Sequence, residues 1–448
     1  MERMDYRPLP GDDQSFEQDA ARISRDFHDQ QVRDAAPEER REGLAQFARA
    51  VYQERLHIPV EGTVRETLRQ LQDPNVLMLE MAHDGQLPHL GIVRLVLKTH
   101  DIAVADGRAV ALYLVGNHYT AAMRPDNIRF GMPLRGQPPD SVKHPPKVRI
   151  GKSHADTPFR WLPPPTSEDL NALETQVADF VSNNLAHERK SGTRVHAYAG
   201  DIIRERLDSV FGVLSGAARD VASFGDWLVR VQHDLFLRLL GGEADRILFL
   251  PMADLAVLFR AELEMIAREA GSVSKIKSDV SAEQRSRGDE PYQRRSEPSS
   301  FWVYCPSCYR RRRELWSPGA LEFVCATCGH REKLRGDDLW RWVMPDIVAY
   351  EAGVFRLGIA GWVVGSRAAY HPVIERVYTH VFRAPMPPRF YGTSIPVFRG
   401  VGDPAEGDSK TRLLRALLEI DPPALARALR APWRENPNIL SDVFAGQT

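Results

Sequence analysis

The sequence predicts an α/β protein built on a doubly wound parallel sheet, carrying a helical insertion and a zinc ribbon. Three observations support this. Between residues 76 and 116 an apolar run, a glycine-containing turn, an amphipathic helix and a second apolar run follow one another; residues 166–273 keep helical spacing; and all four cysteines fall in one unit.

Residues 1–75 are charge-rich, with apolar positions at helical spacing (Leu44, Phe47, Ala48, Val51 and Tyr52, then Val64, Leu68 and Leu71), which predicts a helical N-terminal extension. From Val76 to Met81 the pattern becomes Val-Leu-Met-Leu-Glu-Met and reads as a strand. The turn Asp84-Gly85-Gln86-Leu87-Pro88-His89-Leu90-Gly91 feeds a helix through Val93, Leu97 and Ile102, and the run Ala109 to Val115 ends at Gly116-Asn117-His118. Polar residues at the ends of such strands mark where a nucleotide-binding sheet takes its ligand. This first half of the domain spans 76–165.

The helical insertion, 166–273, places Leu170, Leu173, Val177, Phe180 and Val181 on one face and Val210, Leu214, Trp227 and Val231 on another. Its most apolar window, Ile247 to Ile266, contains Asp254, Arg260 and two glutamates, so it reads as a buried helix and not a membrane span. Residues 274–300 are rich in Ser, Arg, Glu, Asp and Pro and read as a flexible linker. The ribbon occupies 301–335. The second half of the sheet domain, 336–400, holds the apolar stretch Val354 to Val364, a helix through Ile374 to Phe382 and a strand at Ile395 to Phe398; 401–448 is a C-terminal tail.

The ribbon is the most specific signal. Cys305-Pro-Ser-Cys308 and Cys325-Ala-Thr-Cys328 are two C-x2-C pairs sixteen residues apart. Each pair aims two thiolates at one point, and together they make the tetrahedral sulfur shell that Zn2+ prefers. Four thiolates leave no open coordination position, which assigns the metal a structural role. Two C-x2-C disulfides or redox pairs are the alternative. A formal net charge of -1 excludes a global basic field for nucleic acid or an anionic membrane. No signal peptide is read at the start, and cysteines confined to a metal unit imply a reducing cytoplasm.

Two segments carry a functional resemblance. In Pro88-His89-Leu90-Gly91-Ile92-Val93-Arg94 a histidine precedes a glycine by two residues at a helix start, where an imidazole and free backbone amides suit phosphate oxygens. This resembles the His-x-Gly-His signature of the class I aminoacyl-tRNA synthetases, with Ile92 at the second histidine position. After the ribbon stand Leu339-Trp340-Arg341-Trp342-Val343-Met344-Pro345-Asp346, then Val377 to Phe382, then Pro387-Pro388-Arg389-Phe390-Tyr391-Gly392. That succession is similar to the class I lysyl-tRNA synthetases. Their Lys-Asp-His triplet would fall near Gly361 to Arg367, where Gly-Trp-Val-Val-Gly-Ser-Arg stands, and their Lys-Met-Ser-Lys-Ser loop near 401–411, where Asp408-Ser409-Lys410-Thr411 stands.

A second family fits some of these departures. Gly85-Gln86, Gly91 and Lys98 are similar to a segment of the bacillithiol-biosynthesis cysteine ligases, which share the class I nucleotide-binding fold, and Asn117-His118 resembles their His-containing motif. The resemblance implies ATP lying over His89, Gly91 and the following helix. It implies catalytic roles for His89, Lys98 and His118, and cofactor contacts from Gly85, Gln86, His89, Gly91, Arg94, Asn117, Gly361 and Gly365. The function it implies is a ligase joining an amino acid to a small amine or carrier. A genuine aminoacyl-tRNA ligase and a catalytically inactive RNA- or protein-binding relative are the alternatives. RNA contact would run through Arg310, Arg311, Arg312 and Arg313 beside the first knuckle; a simply solvated arm is the other reading. Ser274-Lys275-Ile276-Lys277-Ser278 imitates the lysine loop in letters but precedes the ribbon.

Overall fold

The computed structural model describes residues 16–31, 38–84, 90–121, 148, 154–190, 199–241, 246–293, 299–313, 320–364, 369–391, 417 and 421–430. Three helices come first: α1 (Phe16–Gln31), α2 (Glu38–Ala50), which runs into a π turn at Val51–Arg55, and α3 (Gly62–Gln72). Strand β1 (Leu77–Asp84), helix α4 (Leu90–Asp106) and strand β2 (Ala109–Gly116) form a crossover unit whose strands pair in parallel from Leu77↔Ala109 to Asp84↔Gly116. A parallel pair needs such a crossover, because a tight turn cannot bring the chain back to the same end.

Helices α5 (Ser167–Lys190), α6 (Ala199–Asp220) and α7 (Phe224–Leu239) then lead to β3 (Ile247–Pro251), which pairs in parallel with β2. The window read as a buried helix is therefore a strand followed by the short helices α8 (Met252–Leu255) and α9 (Arg260–Arg268). Ile-Leu-Phe-Leu-Pro is buried throughout, and a run that short and uniformly apolar has no periodicity to separate strand from helix.

The segment read as a flexible linker is also corrected. Helix α10 (Ala270–Ser286) takes up its first half, with Val273, Lys277, Val280, Ser281 and Gln284 buried. Its packed face is half polar, so apolar spacing is faint, yet each polar group is satisfied. Lys277 donates to Asp346 at 2.5 Å and Ser300 at 2.7 Å; Gln284 donates to the Ala369 carbonyl and accepts from the Tyr292 amide; and Ser281 accepts from the Gln293 amide.

The ribbon strands are β4 (Phe301–Tyr304), β5 (Arg311–Arg313), β6 (Ala320–Val324) and β7 (Arg331–Arg335). Helix α11 (Gly336–Trp342) and strand β8 (Val343–Pro345) return the chain, β8 pairing antiparallel with β4. Helix α12 (Ile347–Val354), capped by Asp346, leads through a 3-10 turn to β9 (Ile359–Val364). Helix α13 (His371–Phe382) and β10 (Arg389–Tyr391) follow, and α14 (Pro422–Arg430) lies against α4, fixed by the Arg430–Asp101 ion pair at 2.8 and 2.9 Å. The strand expected at Ile395 to Phe398 lies outside the described residues, among which β10 is the edge strand.

The large sheet is wholly parallel, in the order β10-β9-β1-β2-β3. The chain lays β1, β2 and β3 outward in one direction and then returns to the other side of β1 for β9 and β10. Both faces are covered. On the Leu79 face, α1 comes so close that a Cβ at Gly361 would stand 2.5 Å from Ser24 Oγ and 2.9 Å from Leu79 Cδ2. On the opposite face Trp362, the register partner of Glu80, meets Phe355 and His371. Among the described residues no helix is long and apolar enough to cross a membrane.

Candidate functional site

Two places concentrate chemistry. The first is the cysteine cluster. Each knuckle closes on itself: the Tyr309 amide donates to the Cys305 carbonyl and the Gly329 amide to the Cys325 carbonyl, both at 2.9 Å. Tyr309 and Gly329 occupy equivalent positions and both take positive φ, 57° and 72°. Glycine tolerates that conformation freely, while tyrosine is held there by the knuckle. The four sulfurs lie within 4.8 Å of one another, with Cys305–Cys328 at 3.6 Å and Cys308–Cys325 at 3.7 Å. A tetrahedral ion with sulfurs at ~2.3 Å needs sulfurs about 3.8 Å apart, so the donor set fits such an ion. His330 is turned to Glu332 at 2.9 Å and is not a fifth donor.

The ribbon stands on the carboxyl ends of β2 and β3. Tyr304 donates its hydroxyl to the His118 carbonyl at 3.1 Å, and Arg160 reaches Met344 Sδ at 3.6 Å. Trp161 packs edge-on against Tyr304 and tilted against Tyr309 and Trp342, with centroids 4.7–5.7 Å apart. Three arginines of the run have partners within the protein. Arg310 pairs with Asp156 at 3.0 Å, Arg311 lies over Trp302 at 4.0 Å and Arg312 over Phe323 at 5.2 Å. The Arg313 side chain lies outside the described residues.

Beneath the ribbon a charge network ties the strand ends together. Asp254, just past β3, accepts from Arg160 at 2.7 Å, Arg55 at 3.0 Å and the Asn117 amide at 2.7 Å; Arg55 also holds Asp226 at 2.6 Å. Burial would raise Asp254, but the charges of Arg160 and Arg55 outweigh it and hold the carboxyl below its ordinary value. Asp226 goes the other way, burial winning over its single arginine.

The second place lies under β1. Glu80 is buried in the middle of that strand, and Glu351 and Tyr350 are buried on α12. Among the described residues neither Glu80 carboxylate oxygen, nor Glu351 Oε2, nor the Tyr350 hydroxyl has a hydrogen-bond partner. Burial, and then the charge of Glu351, pushes Glu80 well up; burial pushes Glu351 up to about 8. Tyr350 is raised by burial and then by Glu351, Glu80 and Asp254, which places all four acids in one electrostatic neighbourhood.

The residues expected to form the nucleotide site divide sharply. Gly85, Gln86, His89 and Gly365 lie outside the described residues. Gly91 is half-buried in the first turn of α4, followed by buried Ile92, with Arg94 buried one turn on. Lys98, expected to be catalytic, has its ammonium paired with Glu17 and lying over the Phe16 ring, where it joins α4 to α1. Asn117 is buried with both ends of its amide used, donating to Asp254 and accepting from the Ala253 amide at 2.9 Å. It fastens β2 to the loop after β3. Gly361 lies in close packing against Ser24 of α1, Leu79 and Phe390. His118 is half-buried at the strand end, its ring 4.1 Å from that of Tyr119.

Glu351, Tyr350, Arg55, Arg160 and Asp226 were not found from sequence. Glu80 was visible as the one acid in an apolar strand, which is itself a signal, because an acid in a fully buried strand is rare without a reason. Neither a family model nor a curated protein matches the chain. What the geometry defines is an α/β protein with a parallel five-stranded sheet and a four-thiolate cluster seated on its carboxyl edge.

Proposed function

We propose that this chain is a class I synthetase-like ligase, using a nucleotide to join an amino acid to a small amine or carrier, with a structural zinc ion in its ribbon. One observation carries the reading. The strand order reverses at β1, with β2 and β3 on one side and β9 and β10 on the other, so the carboxyl ends of β1 and β9 lie side by side, and α4 is the next element after β1. In doubly wound sheets that reversal is where nucleotides bind, and the free amides of the first helical turn favour phosphate. Gly91 in that turn and the resemblance of the preceding residues to the synthetase signature support the same placement. Of the tetrahedral ions, a four-sulfur shell suits zinc, with iron as the competitor.

In this reading the nucleotide's phosphates lie at the start of α4, and the amino-acid carboxylate attacks the α-phosphorus to give an adenylate and pyrophosphate. The ribbon, held by Trp161, Tyr304 and Tyr309, covers the ends of β2 and β3 and restricts the acceptor's approach. Amino-acid-dependent exchange of labelled pyrophosphate into ATP tests the reaction. Exchange with one amino acid or a narrow group is the expected outcome. No exchange with any amino acid, together with no ATP-induced rise in the unfolding midpoint, refutes it. A binding protein for unpaired nucleic acid is the second reading, favoured by half-buried Trp161 and Trp342 with Arg160 and Arg341 over their rings at 5.3 and 5.4 Å.

A further inference from the structure

We propose that Glu80, Glu351 and Tyr350 form the seat of an alkylammonium group, so that the substrate enters with a protonated primary amine pointing under β1. The inference rests on the ligase reading for its setting and deepens it by naming the class of substrate. Three buried side chains from two elements act on one another electrostatically, and four of their oxygens (both of Glu80, Glu351 Oε2 and the Tyr350 hydroxyl) have no hydrogen-bond partner among the described residues. An ammonium group has three N–H donors and no acceptor, which complements two carboxylates and a hydroxyl oxygen.

Other occupants fit less well. A divalent metal takes about six oxygens, and Glu80, Glu351 and Tyr350 leave four oxygens unsatisfied among the described residues. The charge balance also points to a cation. Every other buried acid cluster described above carries its own base: Asp254 has Arg160 and Arg55, and Asp346 has Lys277. Among the described residues no arginine or lysine acts on Glu80; burial and Glu351 are the causes of its shift. Buried carboxyls left without a partner cost stability, and such a cost persists where a ligand is to supply the missing group. The walls suit an alkyl chain: Phe259 stands edge-on to Tyr350 with centroids 5.3 Å apart, and Leu112 and Trp362 are the register partners of Glu80.

The full-length protein tests this by thermal unfolding with four probes: n-pentylamine, L-norleucine, L-lysine and 1-pentanol. Pentylamine carries the ammonium alone, norleucine an α-ammonium beside a carboxylate, lysine a side-chain ammonium, and pentanol none. At least one amine should raise the midpoint by about 3 °C at ~100 times its Kd, while pentanol leaves it in place. Which amine responds tells whether the α- or the side-chain nitrogen is seated. Glu80→Gln and Glu351→Gln should each abolish the rise, and Tyr350→Phe should weaken binding about tenfold. Should a variant fail to fold, calorimetry of the unchanged protein decides. An ammonium that ionises the carboxyl pair releases a proton, so the binding heat must vary with the ionisation heat of the buffer. No response to any amine, equal responses to pentanol, or responses that survive both glutamate changes overturn the proposal. ATP is titrated in parallel. An ATP response without an amine response leaves the ligase reading standing and removes this one, and the reverse pattern does the opposite.

Discussion

Replacing Glu351 with glutamine should stabilise the protein at neutral pH. In the fold, burial moves this carboxyl from 4.5 up to about 8, whereas in the unfolded chain it titrates near its ordinary value. The native state therefore holds a proton that the unfolded state has lost, and stability falls as pH climbs from 4.5 towards 8. From pH 4.5 to 7, at about 1.4 kcal/mol per pH step, the cost is on the order of 3 kcal/mol. Glutamine has the same shape, stays neutral and removes the pH-dependent part. Glu351→Gln should thus gain up to roughly 3 kcal/mol at pH 7 and nothing near pH 4.5. Urea midpoints of both proteins from pH 5 to 8 measure the gap. His371 and His28 also titrate in this range but are common to both proteins and cancel in the difference. A variant that is less stable at pH 7, with a gap that does not change with pH, would mean that Glu351 is ionised and partnered in the fold, and the reasoning above would be wrong.

Three further outcomes follow from particular contacts. Lys277→Met leaves Asp346 buried beside Ser300 without its cation and should cost about 3–5 kcal/mol, whereas Asp346→Asn keeps an oxygen for the α12 cap and costs less; chemical denaturation ranks the two. The purified protein should carry about one metal ion per chain, and Cys325→Ser should lose it together with the tryptophan fluorescence environment at Trp161, read by elemental analysis and emission spectra. Burial and the nearby Arg389 lower His371 to about 3 from 6.5, so its contribution is complete above 6.5 and is lost as pH falls below it. His371→Leu should shrink the stability loss between pH 7.5 and 5 by about 2 kcal/mol.

What could be read from sequence was local. The two C-x2-C pairs, the β1–α4–β2 unit and α13 each depend on spacing within a short window, and the structure places them as expected. Strand β3 was hidden because five uniformly apolar residues carry no period, and α10 because its inner face is built from Lys277, Ser281 and Gln284, whose partners lie at Asp346, Gln293 and Ala369. Asn117 was noticed at a strand end, but its role as a tie depends on Asp254, which a one-dimensional reading could place only inside a supposed helix. Lys98 matched a motif in letters and position, yet Glu17 claims its charge.

The contrast among buried charges is what separates scaffold from candidate site. Arg55, Arg160, Asp226 and Asp254 form two bases against two acids, and Lys277 and Asp346 one against one; such groups lose most if one member is removed, and they hold loops in place. Glu80 and Glu351 have no such balance among the described residues, although the chain has 59 lysines and arginines. A glutamine or leucine at either position would relieve the cost, so a purely structural role gives no reason for both acids. A role in binding does give one, because the group that neutralises them arrives with the substrate, and the unliganded protein then bears a stability deficit that the ligand removes. The deficit and the ligand response must therefore vanish together in Glu351→Gln; a variant that gains stability yet keeps its amine response would separate the two and leave the acid pair unexplained.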